Sequence, residues 1–176
     1  MTDALSVGTT MDIGDHTIEV TENPTTTGDR YRVHIVAEPG GPGIKGDFPH
    51  SHPIIIETFT CVSGEMSIRA GKDVSPLEPG ATAVVQPGVV HGFLNTGSCD
   101  LIVDGEVIFP NGYKVEDDLL RLGVIYDALR SDGEPSLLRM AVLVRGFRHV
   151  IHQPGLGGAL LPPLAALGRL RGYRPV

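Results

Sequence analysis

Hydrophobic and polar residues alternate over most of the first 109 positions, in short runs rich in valine, isoleucine and threonine. Such alternation is typical of β-strands with one buried face, because successive side chains of a strand point to opposite sides. Clusters of glycine, proline, asparagine and serine separate the runs, as turns require. The sequence predicts strands over residues 17–22, 31–37, 54–62, 66–69, 82–85 and 101–108. Strands of this length and spacing indicate an all-β sandwich or barrel.

The pattern changes to a helical period after Gly112, with apolar residues recurring three and four positions apart. The sequence predicts three helices: one through residues 119–129 that ends at 131–133, one from Pro135 to about Val150, and one from Pro162 and Pro163 to about Gly172. We therefore expect two parts, a β-barrel over residues 1–112 and a C-terminal helical extension over residues 113–176 that packs on the barrel.

The composition is that of an ordinary globular protein, with 41% hydrophobic and 20% charged residues. The two cysteines, Cys61 and Cys99, form no disulfide framework, so nothing indicates an oxidising compartment. The N-terminus lacks a basic stretch followed by an apolar run, and no apolar run reaches the length of about 18 residues that a transmembrane helix needs. We expect a cytoplasmic protein without a transmembrane segment.

The net charge of −7 is unevenly distributed along the chain. Residues 135–176 carry six arginines and no acidic residue, whereas the first 134 residues carry a net charge of −13. An acidic body argues against nucleic-acid binding. The arginine-rich segment has two interpretations. It packs on its own acidic barrel or across a dimer, or it makes a weak contact with a membrane surface or an acidic partner.

Two histidines, His50 and His52, occupy positions i and i+2 of an extended segment, so they point to the same side. Glu57 follows at the opposite parity, so Pro53 or a bulge must reset the alternation for its carboxylate to join them. His91 offers a third imidazole. Three imidazoles and a carboxylate suit one divalent ion of Fe, Mn, Ni, Cu or Zn, and they leave coordination positions open. Any of these histidines alone would be interpreted as an isolated surface or core residue.

The spacing of these residues resembles the two sequence motifs of the cupin superfamily. The first motif, His-x-His, three or four residues, Glu, six residues, Gly, is matched by His50, His52, Glu57 and Gly64. The second, Gly, five residues, Pro-x-Gly, two residues, His, three residues, Asn, is matched by Gly80, Gly88, His91 and Asn95. Two positions depart from the pattern: Gln86 replaces the proline, which stands one place later, and Ile44 replaces a glycine. The close match covers residues 46–95.

The resemblance implies a cupin β-barrel, a double-stranded β-helix or jelly roll, with a metal ion inside its open end on His50, His52, Glu57 and His91. Alternation along the strands turns three further side chains inward, where we expect a substrate pocket: Phe59, Phe93 and Asn95. Core filling by the two phenylalanines and a structural hydrogen-bonding role for the asparagine are the alternatives. Because edge strands of cupin barrels often pair across dimers, the resemblance also implies a homodimer.

The resemblance further implies a metal-dependent enzyme that acts on a small organic molecule. An enediol, a phenolic ketone or a dicarbonyl would chelate the ion through adjacent oxygens, with Glu57 as a ligand or, once detached, as a catalytic base. Many cupins with these ligands are dioxygenases, so dioxygenation is the leading hypothesis. Two alternatives remain, a non-oxidative cyclase or isomerase and a non-enzymatic barrel that binds a small molecule or a metal.

Overall fold

A computed structural model describes residues 5–41, 49–132 and 136–174. Ile44 and Pro135, which figure in the sequence predictions, lie outside these ranges. Within them the chain forms nine strands: β1 (Thr10–Asp12), β2 (His16–Glu22), β3 (Arg30–Ala37), β4 (Ile56–Ser63), β5 (Met66–Ala70), β6 (Asp73–Leu77), β7 (Thr82–Val85), β8 (His91–Asn95) and β9 (Leu101–Ile108). The helical segments are α1 (Pro24–Thr27), α2 (Val115–Asp132), α3 (Leu137–Gly146) and α4 (Gly155–Leu170), with a 3₁₀ turn at Pro110–Gly112.

The strands form two antiparallel sheets whose inner faces share one hydrophobic core. The larger sheet has the order β1-β2-β3-β9-β4-β7, and the smaller has the order β6-β5-β8. Ile35 and Val103 of the larger sheet belong to the same buried cluster as Ile68 and Phe93 of the smaller. The all-β fold class with C-terminal helices is confirmed. The described strands do not close into a barrel, however, because the edge strands of one sheet do not pair with those of the other.

The strands lie where the hydrophobic alternation predicted them. β7 and β9 have the predicted bounds, and β2, β3, β4 and β5 differ from theirs by at most two residues. Along β9 every second residue, from Leu101 to Val107, is buried in the core. Three strands, β1, β6 and β8, were not among those predicted, and β8 shows no alternation because four of its five residues are buried. β1 has only three residues, and β6 is an edge strand that contains Pro76 and has no buried face.

α2 confirms the first predicted helix and lies against the two sheets. Val115 and Leu119 are about 1% exposed and belong to the same core cluster as the strands. The first turn carries three acidic residues, Glu116, Asp117 and Asp118, which complement the positive end of the helix dipole. Since α2 shares the core of the sheets, the division of the chain at residue 112 stays a prediction.

α3 ends earlier than the sequence predicted, at Gly146 instead of near Val150. The reason lies in the residues that follow it. Phe147, Val150 and Ile151 leave the helix and are buried in the main core, so the chain turns toward the sheets there. The hydrophobic spacing that suggested a longer helix therefore reflects burial in an irregular segment.

α4 begins at Gly155, so the prediction that Pro162 opens this helix was wrong. Both prolines lie inside the helix. Each proline removes one backbone donor, but packing against α3 holds the helix together across them. Gly168 permits this approach, because an added Cβ would lie 2.7 Å from the Leu138 carbonyl oxygen. Among the described helices, none is both long enough and apolar enough to cross a membrane.

Candidate metal centre

A backbone bridge places His50 beside His91. The His50 N–H donates to the His91 carbonyl at 3.0 Å, and the His91 N–H donates to the His50 carbonyl at 2.7 Å. His91 begins β8 of the smaller sheet, and its backbone also pairs with Ala70 of β5. The segment that carries His50 and His52 is therefore held at the end of the smaller sheet.

Glu57 reaches the same place from the larger sheet. The chain bends at Pro53 and Ile54 before β4 begins at Ile56, so the alternation is reset where the sequence required it. Glu57 then pairs with Val85 of β7 on one side and with Val107 of β9 on the other. A central strand thus fixes the carboxylate between two neighbours.

Four side chains converge where the two sheets meet: His50, His52, Glu57 and His91. One candidate ligand atom from each lies within 4.8 Å of the others. The His91 Nε2 lies 2.5 Å from Glu57 Oε2, and the His52 Nε2 lies 3.5 Å from the same oxygen. His52 and His91 are almost fully buried, and His50 is half-buried. The four residues that the sequence proposed as ligands are therefore brought together.

Backbone carbonyls fix the orientation of two imidazoles. The Nδ1 of His52 lies 2.5 Å from the Val150 carbonyl oxygen, and the Nδ1 of His91 lies 2.8 Å from that of Val89. A carbonyl only accepts, so each Nδ1 carries the proton and each Nε2 is turned toward the cluster. The His52 Nε2 is buried and has no hydrogen-bond partner among the residues that the structure describes. An unpaired buried nitrogen facing a carboxylate and two more imidazoles fits a metal ligand.

The charge of Glu57 is compensated by the imidazoles around it. Burial alone would raise the pKa of this carboxyl group, but His52, the hydrogen bond from His91, and His50 together lower it to about 2. Burial alone would likewise lower the pKa of His91, yet its contacts with Glu57 bring a net rise. In the metal-free protein the pair therefore favours an imidazolium beside a carboxylate, and a divalent cation would replace that proton.

The two phenylalanines of the predicted pocket lie beside the cluster. The ring centroid of Phe59 is 6.0 Å from that of His91 and 5.4 Å from that of Phe93. Both phenylalanines are less than 10% exposed and belong to the main core. They form an apolar wall next to the candidate ligands, and their contact with a substrate stays a prediction.

Asn95 lies at the far end of β8, where the hydrogen bonds of its side chain stabilise a turn. Its amide nitrogen donates to the carbonyls of Ala37 and Cys99 at 2.9 and 2.7 Å, and its Oδ1 accepts from the Gly97 N–H at 2.9 Å. Both amide hydrogens and one oxygen lone pair are thus engaged within the protein. This arrangement favours the structural alternative for Asn95, and a role in substrate binding stays a prediction.

Sequence reasoning missed a buried polar network on the same face as Glu57. Tyr31 donates to Asp118 at 2.5 Å, and the Arg121 Nε donates to the same carboxylate at 2.5 Å. Tyr31 pairs with Val107 of β9 across from Glu57, so the two side chains share a face about 10 Å apart. Burial and the Asp118 charge raise the pKa of Tyr31 well above its usual value. In sequence, Asp118 and Arg121 resemble an ordinary i,i+3 surface pair.

Comparison with known proteins places the chain among proteins with this architecture. A family model described as a cupin domain matches residues 33–108. An uncharacterized protein with a double-stranded β-helix domain from Klebsiella pneumoniae is 30% identical, with 57% of this chain and 83% of that one covered and a TM-score of 0.48. AerE from Microcystis aeruginosa is 21% identical over 59% of this chain and 46% of its own, with a TM-score of 0.51. KdgF from Halomonas sp. is 18% identical over 58% and 87%, with a TM-score of 0.48. No curated protein matches the sequence.

Acid unfolding of the metal-free protein tests the compensation of Glu57. The folded-state pKa of about 2 lies below the ordinary value of 4.5, so the unfolded chain binds more protons between these values. Glu57 therefore contributes stability above pH 4.5 that is lost as the pH falls toward 2. We expect the free energy of unfolding in urea, followed by circular dichroism, to fall more steeply across this window for wild type than for Glu57→Gln. Equal slopes for the two proteins would contradict the compensation.

Proposed function

The chain belongs to the cupin superfamily, and from this premise we propose that it is an enzyme that binds one divalent metal ion on His50, His52, Glu57 and His91 and acts on a small organic substrate that chelates the ion through two oxygens. The observation that carries the proposal is the buried His52 Nε2, which faces the other three candidate ligands and makes no hydrogen bond within the described part of the chain. Nitrogen donors with one carboxylate suit Fe, Mn, Ni, Cu or Zn better than Mg or Ca.

The residues of the chain have separate tasks in this proposal. When bound, the metal would supply Lewis acidity to the chelated oxygens and, if it is redox-active, electron transfer to O₂. Phe59 and Phe93 exclude water from one side of the centre, which strengthens the electrostatic interactions there. Glu57 stays ionised, because its pKa near 2 keeps the carboxylate free of a proton, as a ligand must be.

A role for Glu57 as a catalytic base would require the site to change. A carboxylate with a pKa near 2 is a poor proton acceptor at neutral pH. Its oxygen is also engaged by the His91 Nε2 at 2.5 Å. Before Glu57 could take a proton from a substrate, this contact would have to open and the pKa would have to rise.

Dioxygenation is the reaction we propose first, on the analogy of cupins with the same ligand types. A non-oxidative cyclase or isomerase uses the same ligands with a metal that transfers no electrons, and a non-enzymatic barrel would bind its ligand without turnover. Oxygen dependence separates these three possibilities.

Turnover with and without O₂ tests the enzymatic proposal. The metal-reconstituted protein would be offered enediols, phenolic ketones and dicarbonyls, with O₂ uptake and product formation measured. We expect turnover in air only, and we expect Glu57→Gln to lower kcat/KM by about 100-fold or more. Glu106→Gln is the matched control, because Glu106 pairs with Arg30 and Arg32 on the outer face of the larger sheet. Turnover without O₂ would contradict dioxygenation and favour a cyclase or an isomerase. Binding without turnover would contradict the proposal that the protein is an enzyme.

A second surface lies on the C-terminal helices. The outward face of α4 carries a leucine stripe, defined as Leu156, Leu160, Leu167 and Leu170, whose members are 83%, 55%, 44% and 85% exposed. At 3.6 residues per turn these positions fall within about 80° of one another, opposite the residues that pack on α3. Among the described residues, the two sheets supply no ion-pair partner to Arg145, Arg148, Arg169 or Arg171. Packing of the arginine-rich segment on its own acidic sheets or across a dimer stays the alternative prediction.

We propose that this surface contacts an anionic membrane, because such a membrane accommodates exposed leucines beside arginines that make no ion pair with the other described residues. Wild type should co-sediment with phosphatidylserine vesicles at low salt and be released at high salt. Leu160→Asp should abolish this binding, whereas Val84→Asp, an equally exposed apolar position on β7, should not. No binding at low salt, or a dimer that Leu160→Asp dissociates, would contradict the proposal. The homodimer through edge strands and the cytoplasmic location stay predictions.

A further inference from the structure

The segment between α3 and α4 makes direct contact with the strand that carries the candidate ligands. This segment, residues 147–152, is called the strap below. His152 and Ser51 exchange two backbone hydrogen bonds, from the Ser51 N–H to the His152 carbonyl at 2.9 Å and from the His152 N–H to the Ser51 carbonyl at 2.7 Å. The Val150 carbonyl accepts the Nδ1–H of His52, a residue 98 positions earlier in the chain.

The side chains of the strap are packed into the hydrophobic core. Phe147, Val150 and Ile151 are each less than 10% exposed and belong to the main hydrophobic cluster. Hydrogen bonds from the N–H groups of Val150 and Ile151 to the Phe147 carbonyl, at 2.9 and 3.0 Å, give it a defined turn. The position of the Val150 carbonyl is therefore set by packing, which is what an orienting group needs.

The two oriented imidazoles depend on very different parts of the chain. His91 is held by the carbonyl of Val89, only two residues away, so its orientation is set within its own turn. His52 is held by the strap alone through its Nδ1. Without the Val150 carbonyl, the neutral His52 ring could carry its proton on Nε2, the nitrogen that faces the cluster.

We propose that the strap is a positioning element for the metal centre, so that docking of residues 147–152 and binding of the metal stabilise each other. This inference rests on the proposed metal binding. Removing an outer partner of a metal-bound histidine typically weakens metal affinity by about 10- to 100-fold. Thermodynamic linkage requires the bound metal to favour strap docking by the same factor by which docking favours the metal.

A matched pair of substitutions at one exposed residue tests the inference in the full-length chain. His152→Pro removes the N–H that bonds to Ser51, whereas His152→Ala keeps it and changes only an exposed side chain. Co²⁺ is the probe, with its dissociation constant measured by competition with a chromophoric chelator. We expect His152→Pro to weaken Co²⁺ binding by about 10- to 100-fold and to change the visible absorption of bound Co²⁺. His152→Ala should match wild type in both respects.

The histidine ring itself gives a readout that a general loss of stability would not move. In metal-free wild type, ¹⁵N chemical shifts should report a His52 ring protonated on Nδ1. In His152→Pro these shifts should move toward a mixture of the two tautomers, while those of His91 stay unchanged.

Hydrogen exchange in wild type provides a test that does not depend on any variant folding. Adding Co²⁺ should slow amide exchange at Ser51 and His152, and it should leave exchange at Met140, a remote amide of α3, unchanged. Co²⁺ binding with no change at Ser51 and His152, together with equal affinities of His152→Pro and His152→Ala, would overturn the strap inference and leave the metal proposal standing. Absence of Co²⁺ uptake by wild type would overturn both.

Discussion

Burial of the Glu57 carboxylate is the constraint on which the centre depends. An ionised carboxylate inside a protein is costly unless positive charge and hydrogen bonds compensate it. The backbone of Glu57 is paired with β7 and β9. A carboxylate oxygen of Glu57 lies within 4.8 Å of one ring nitrogen from each of three imidazoles. In the metal-free protein the hydrogen bond from the His91 imidazole, whose pKa Glu57 raises, supplies part of this compensation. A divalent cation would supply it more completely, because every group would then face the charge through a lone pair.

The architecture brings these groups together from two parts of the chain, residues 50–57 and the start of β8 at His91. Glu57 lies in the larger sheet, and His91 lies in the smaller sheet. His50 and His52 lie in the segment that precedes β4, and the backbone of His50 pairs with that of His91. The strap contacts the same segment, because it bonds to the backbone of Ser51 and to the ring of His52. The C-terminal extension is thus part of the environment of the centre as well as a neighbour of the sheets.

The sequence predicted what local pattern determines. Alternating apolar residues gave the bounds of β7 and β9, and the cupin motif spacing gave the four residues that converge. It could not show which backbone carbonyls orient the rings, since Val89 and Val150 look like any other apolar residue. Nor could it show that α4 runs through Pro162 and Pro163, because packing against α3 outweighs the local preference of proline. The buried Tyr31–Asp118–Arg121 network was hidden because Tyr31 lies 87 residues before Asp118, so only the fold shows that the Asp118–Arg121 pair is buried against it.

Metal content is the measurement that tests the central claim most directly. Purified wild type and His91→Ala would be exposed to a mixture of Fe²⁺, Mn²⁺, Ni²⁺, Cu²⁺ and Zn²⁺, separated from free ions and analysed by plasma mass spectrometry. We expect about one equivalent of a single metal in wild type and almost none in His91→Ala, since the variant lacks one of the four converging ligands. Wild type that retains no metal, or a variant that retains as much as wild type, would contradict it.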